Sequence, residues 1–398
     1  MARHASLDWL NFLLADVRGG LGPYVSVYLL TEARWDPAAI GTVLTLSGLI
    51  GISLHVPVGA FIDSTRAKRG LLMAGIVSLS ACALSIAFVP TFPVVLTADM
   101  VMAVLGAIFA PTVAAITLGL FPRETLPARL GRNAAFDRAG NLFIAAVAGL
   151  VGTAISQRAI FFLVPFFGVL TVLAILSIPS QAIDHQQARG LEPDRADHVP
   201  QQPVKLKVLV TSTPLMVLAA AAALFHFASA PMLLLVSQKL ALGSPGREAA
   251  LTSAAIVTAQ LVTIPMGLVI ARANTFGRKP LLLTALTALP VRGLILASVD
   301  DPALLIAAQV LDGIGGGLFD ALLPLVLADI MQHTGRYNVS RGFLGTVQGV
   351  GGSLSQVVAG SIVGAAGYGS AFLALTVVAL VALVLVVVAM PETAPHRV

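Results

Sequence analysis

Asp16, Asp99, His226, Asp312 and Asp320 each interrupt an apolar run, and their types suit proton binding. A low-dielectric setting favours the protonated form of a carboxylate, which is what a coupling group needs. Imidazole titrates near neutral pH. Inside a bilayer an ionisable side chain costs at least about 2.5 to 3.5 kcal/mol, so each one retained there is a candidate site residue. Asp16 precedes Gly19, Gly20, Gly22 and Pro23, where a helix can bend and open its backbone to a ligand. A structural ion pair fits Asp16 equally. Arg18 points about 200° away from it and needs its own partner.

Asp312 and Asp320 flank Gly313, Gly315, Gly316 and Gly317. Eight helical residues set them about 80° apart in azimuth and about 12 Å in height. Asp320 lies about 4 to 5 Å from the middle of its run and is the first candidate proton carrier; the glycines also suit close helix packing. His226, between Phe225 and Phe227, fits a proton-coupling group or a hydrogen-bonded packing element. Gln309 and Gln348, with Gln260 and Gln356, supply neutral donors and acceptors for a ligand or for interhelical hydrogen bonds. Asp137 and Asn141 share a helix face beside Arg138, and a gate network is preferred there to substrate contact. Arg292, alone in an apolar run, requires a carboxylate partner or an outward path.

The elements that position these groups follow from composition. Of 398 residues, 57% are apolar and 11% charged, with a mean hydropathy of +0.92, which excludes a soluble globular domain. Apolar runs occur at 7–31, 38–62, 70–90, 92–119, 132–156 and 159–178, then at 208–236, 249–272, 280–298, 303–331, 340–366 and 369–390. Each is long enough for a membrane helix, which needs about 20 residues. The expected organisation is a six-helix bundle over 1–179, a polar linker over 180–207 and a second six-helix bundle over 208–398. The first run follows Arg3 and His4 without a cleavage pattern and reads as a retained span.

With the N-terminus inside, 17 of the 24 Lys and Arg fall on the cytoplasmic side, among them Arg66, Lys68, Arg69, Arg272, Arg278 and Lys279. Arg34, Arg158, Lys239 and Arg247 fall opposite. Both termini and the linker are thereby assigned to the cytoplasm of a plasma (inner) membrane protein. The basic residues are scattered singly, so the formal charge of +5 does not point to nucleic acid. Cys82 is the single cysteine, which excludes an internal disulfide or thiolate metal site. His-Glu-x-x-His, Gly-x-Ser-x-Gly and phosphate-loop patterns do not occur, so neither an enzyme nor a cofactor is expected.

The halves repeat. Val56-Pro57-Val58-Gly59 matches Ile264-Pro265-Met266-Gly267 at an offset of 208 residues, and Gly106-Ala107-Ile108-Phe109 matches Gly316-Gly317-Leu318-Phe319 at 210. Ala148-Gly149 matches Ala359-Gly360 at 211, with Gly140 on Gly351 in the same frame. A parallel six-plus-six repeat is a secondary transporter's organisation.

Gly59 through Asp63, followed by Arg66, Lys68 and Arg69, resembles the loop signature of the major facilitator superfamily, with a counterpart in Gly267, Arg272, Gly277, Arg278 and Lys279. Ser64 and Ala271 depart from that signature. Asp99 and Met102 depart from the Arg-x-x-Gln-Gly pattern of many proton-coupled exporters. The resemblance implies an all-α fold of twelve spans in two pseudo-symmetric bundles, with spans 1, 4, 7 and 10 lining a cavity. It also implies gate latches at Gly59, Asp63, Arg66 and Arg69 and at Gly267, Arg272 and Arg278. The implied activity is alternating-access, proton-coupled export of a small organic molecule or drug by a monomer. Import of an organic anion or metal-chelate through Arg18, joined by Arg138 or Arg292, is the alternative within transport. A membrane sensor or assembly factor is the alternative of another class.

Overall fold

The computed structural model describes residues 2–19, 22–65, 67–121, 125–179, 181, 183–184, 211–271, 273–332, 334 and 336–393. Among them every regular element is helical. The first half of the chain forms α1 (Ala2–Gly19), α2 (Gly22–Thr31), α3 (Pro37–Ser64), α4 (Lys68–Phe88), α5 (Phe92–Leu120) and α6 (Leu126–Ala154). A 3₁₀ turn (Gln157–Phe162) then leads into α7 (Leu163–Leu176). The second half forms α8 (Thr213–Gly243), α9 (Glu248–Ala271), α10 (Arg278–Ser298), α11 (Pro302–Ala307), α12 (Gln309–Ile330) and α13 (Tyr337–Ala389).

Ten helical segments among the described residues are long and apolar enough to cross a membrane. The last covers 51 residues and is broken at Gly367, whose φ of 82° and ψ of 172° only glycine tolerates well, so it crosses twice. α1 and α2 together supply one further span, and the total reaches twelve. Pro57, Pro111, Pro231, Pro265 and Pro324 lie inside helices, as bundles in lipid permit. Starts are set locally: the Ser156 hydroxyl accepts from Ala159 N at 3.1 Å and Asp301 Oδ1 from Leu304 N at 3.0 Å.

Contacts divide the chain into two units. Unit 1 comprises Met1–Arg34, Leu46–His198 and Gly246–Ser253; unit 2 comprises Trp35–Thr45, Val199–Pro245 and Ala254–Val398. In unit 1, α1 packs on α6 and α7 and α4 on α5, with Leu13, Ile144 and Phe167 at one buried centre. In unit 2, α13 packs on α8 and α10, and α10 on α12.

The repeat recurs in the packing. A Cβ at Gly140 would collide with the Phe12 carbonyl, and one at Gly351 with the Ala223 carbonyl. Both partners of the first contact map onto those of the second at the same offset of 211 residues. Small residues here let helix backbones touch, which is how helices associate without a hydrophobic drive between them.

A second pair of contacts involves the exchanged segments. In unit 2, Thr45 Oγ1 donates to the Ser353 carbonyl at 2.7 Å and accepts from Val357 N at 3.0 Å. Beside it, a Cβ at Gly41 would strike the Gln356 carbonyl and one at Gly360 the Pro37 carbonyl. In unit 1, Tyr24 donates its hydroxyl to the Ala145 carbonyl at 3.1 Å and lies 2.6 Å from Ser253 Oγ, while Gly149 faces that same serine. Thr45 and Ser253 are 208 residues apart, the offset of the two helices that carry them.

Candidate functional site

The accessible polar centre of unit 2 is built by α8, α12 and the first half of α13. His226 Nδ1 lies 3.0 Å from the Ala222 carbonyl, and since a carbonyl only accepts, Nδ1 carries the proton. That leaves Nε2 to face Asp320 Oδ1 at 3.6 Å and Gln348 Nε2 at 3.4 Å. The Asp320 side chain is 65% exposed and that of His226 26%. Phe225 and Phe319 are buried and stack at 4.0 Å between centroids, which fixes the backbone on both sides of the pair. Three of the expected residues thus meet in one place, contributed by three helices.

Three other cations of unit 2 are paired with carboxylates. Arg292 is fully buried and donates to Asp312 Oδ1 and, at 2.6 Å, to Gln309 Oε1. Gln309 is itself fully buried, so it and Asp312 form a tie between α10 and α12 rather than part of the accessible cluster. Lys239 Nζ pairs with Asp300 at 2.9 Å and donates to the Leu296 and Val299 carbonyls at the end of α10. Arg278 Nε pairs with Asp329 at 3.0 Å.

In unit 1, Asp99 of α5 accepts a short hydrogen bond from Ser47 of α3. Asn141 donates to the Asp137 carbonyl at 2.9 Å and lies 3.4 Å from its carboxylate, while Arg138 is exposed. Arg69 donates to the Leu176 carbonyl at 3.3 Å. Gly59 and Gly267 have open space around them. Arg66 and Arg272 lie outside the described residues, as do the side chains of Asp16, Arg18 and Asp63.

Three features escape a reading of the sequence. Asp8, 3% exposed, bridges Arg129 at 2.7 Å and Arg132 at 2.6 Å, joining α1 to α6. The i, i+3 spacing of the two arginines was the available signal. Glu392, just past the last span, accepts from Arg278 N at 2.9 Å and Lys279 N at 3.1 Å. It caps the start of α10, a helix-start role that the departure at Ala271 leaves vacant. His55 is exposed on α3 at the end of a candidate span.

Glu32, after α2, is held above the usual carboxylate range, first by loss of solvation and then by Glu248; Arg158 and the Gln157 amide oppose the shift. A carboxylate raised in the folded state binds its proton more tightly there than when unfolded, so stability falls as pH rises through that window. The difference in melting temperature between pH 5 and pH 8 is therefore expected to shrink in Glu32→Gln, with the variant the more stable at pH 8. An unchanged difference would remove Glu32 as its source.

Comparison with known proteins agrees with this architecture. The Major Facilitator Superfamily model matches residues 8–272 and 242–398. An uncharacterized MFS-type transporter of Mycobacterium tuberculosis strain H37Rv is 42% identical over 396 residues, covering 98% of this chain and 93% of its own. The maltose permease of Geobacillus stearothermophilus is 37% identical over 76 residues, 19% of each chain. Among solved structures, a mutant of the nucleoside transporter NupG superposes with a TM-score of 0.79 at 13% identity, covering 98% of this chain and all of that one. Twelve spans, a duplicated packing scheme and a family match along the chain converge: the protein is a multi-pass membrane transporter of the major facilitator superfamily.

Proposed function

We propose that this chain is a proton-coupled secondary transporter that exports a small organic molecule by alternating access, with His226, Asp320 and Gln348 at the core of its site. The accessible imidazole–carboxylate pair carries this reading. It is open to water, and its cation is present only while His226 is protonated, whereas Arg292, Lys239 and Arg278 are held by permanently ionisable carboxylate partners. Protonation of His226 makes Nε2 a donor to Asp320 and closes the pair; loss of the proton reopens the carboxylate. The family resemblance supports export, and the loop charges support cytoplasmic termini in an inner membrane. Bundles 1–179 and 208–398, joined by the linker, are the moving bodies of the proposed cycle. Relatives named for a nucleoside and for maltose support a small organic cargo. Arg292, committed to Asp312 and Gln309, is unsuited to receiving an organic anion.

The test uses purified protein in proteoliposomes and a cargo found by a thermal-shift screen across drugs, organic acids and chelates. A pH gradient of one unit is expected to drive about tenfold accumulation per proton exchanged. Asp320→Asn and His226→Gln should return accumulation to the passive level while leaving the protein folded. Accumulation that ignores the pH gradient would exclude proton coupling.

A further inference from the structure

We propose that the cargo is an organic monocation, and that Asp320 exchanges it one for one against the proton on His226. This rests on the proton-coupled reading of the same site and adds the class of substrate.

The inference comes from the charge balance of unit 2. Arg292, Lys239 and Arg278 are bound by Asp312, Asp300 and Asp329. Asp320 differs: His226 is its one ion-pair partner among the described residues, and that partner is a cation only while protonated. An ionised carboxylate within a membrane span needs a compensating positive charge. With His226 neutral the site presents Asp320 Oδ1 and Oδ2 and Gln348 Oε1, since the Gln348 amide nitrogen is turned to the imidazole. That set is rich in acceptors and carries a net charge of −1. A neutral polyol would satisfy the acceptors and leave the charge. An ammonium or other single cation with N–H donors satisfies both.

Charge then sets the exchange. His226 protonated on Nε2 donates to Asp320, and the site is neutral. Arrival of a monocation at Asp320 places two positive charges beside one negative, which expels the Nε2 proton to water. Nδ1 keeps its proton on the Ala222 carbonyl throughout. Among the described residues the groups in contact within the cluster are His226, Asp320 and the uncharged Gln348, and the nearest cation on the same face of α13, Arg341, lies two turns before Gln348, about 10 Å along the axis, so one proton is displaced per cation.

The experiment measures proton release, with a pH dye in weak buffer, from the full-length protein in detergent on addition of tetraethylammonium, benzylamine or ethidium. Uridine and maltose serve as neutral comparators. Release approaching one proton per bound cation is expected, with apparent affinity falling up to about tenfold per unit of acidification wherever His226 is protonated. His226→Gln should still bind cations and release no proton; Asp320→Asn should do neither, and unchanged melting temperatures exclude misfolding. Proton release by uridine or maltose with none by the cations would overturn the monocation and leave proton coupling standing. Cations that bind His226→Gln and wild type alike without proton release would overturn the exchange itself.

Discussion

Arg292→Met is expected to destabilise the protein by about 3 to 5 kcal/mol, the range seen when one partner of a buried ion pair is removed. Arg292 is fully buried, and its loss strands Asp312 and takes a donor from Gln309. Asp312 keeps about a quarter of its side chain exposed, so solvation offsets only part of the lost charge. The partner variant decides whether this is the cause: Arg292→Met combined with Asp312→Asn should regain most of the loss, because a neutral amide no longer needs a counter-charge. Thermal unfolding in detergent reads both. A single variant costing less than about 1 kcal/mol, the scale of an exposed ion pair, would mean that Asp312 is served by water.

Gly41→Ala and Gly360→Ala carry the second large effect. The new methyl groups meet the Gln356 and Pro37 carbonyls, which are backbone and cannot rotate aside. Overpacking of this kind costs about 1 to 3 kcal/mol. The proposed cycle must part the first turns of α3 from α13 and later restore them, so the penalty falls on one conformation alone. That differential corresponds to a shift of roughly 5- to 150-fold between conformations. Cysteine labelling at Ala38, with Cys82 replaced, should accelerate in both variants as the Thr45 hydrogen bonds loosen. Gly364→Ala, one turn after Gly360 on α13 and with open space around the added methyl, is the control and should behave as wild type. Equal labelling rates in all three would show that this seam does not govern the conformational balance.

The number of spans was legible because hydropathy and length act locally, residue by residue. So was the duplication, since Gly140 and Gly351 must each admit a neighbouring backbone and no other residue type fits. Helix phase alone did not say which polar groups meet. Asp312 and Asp320 look alike in the sequence, eight residues apart beside the same glycines, yet one turns to Arg292 and the other to His226. The difference lies in the azimuth of α10 and α8, which tertiary packing decides. Gln309 reads equally as ligand contact or interhelical bond, and a buried arginine takes it for the second. Glu392 was invisible for another reason. A carboxylate past the last span has no periodicity to betray a partner 114 residues earlier in the chain.

The break at Gly367 bears on how this chain is put together in a cell. Since α13 bends through one glycine, with Tyr368 next to it anchored to Gln238 at 3.1 Å, the last two spans share almost no connecting strand. Such a hairpin gives its two spans little freedom to insert independently, since almost no chain separates them. A reporter inserted there to map topology would disrupt the very crossing it was meant to locate.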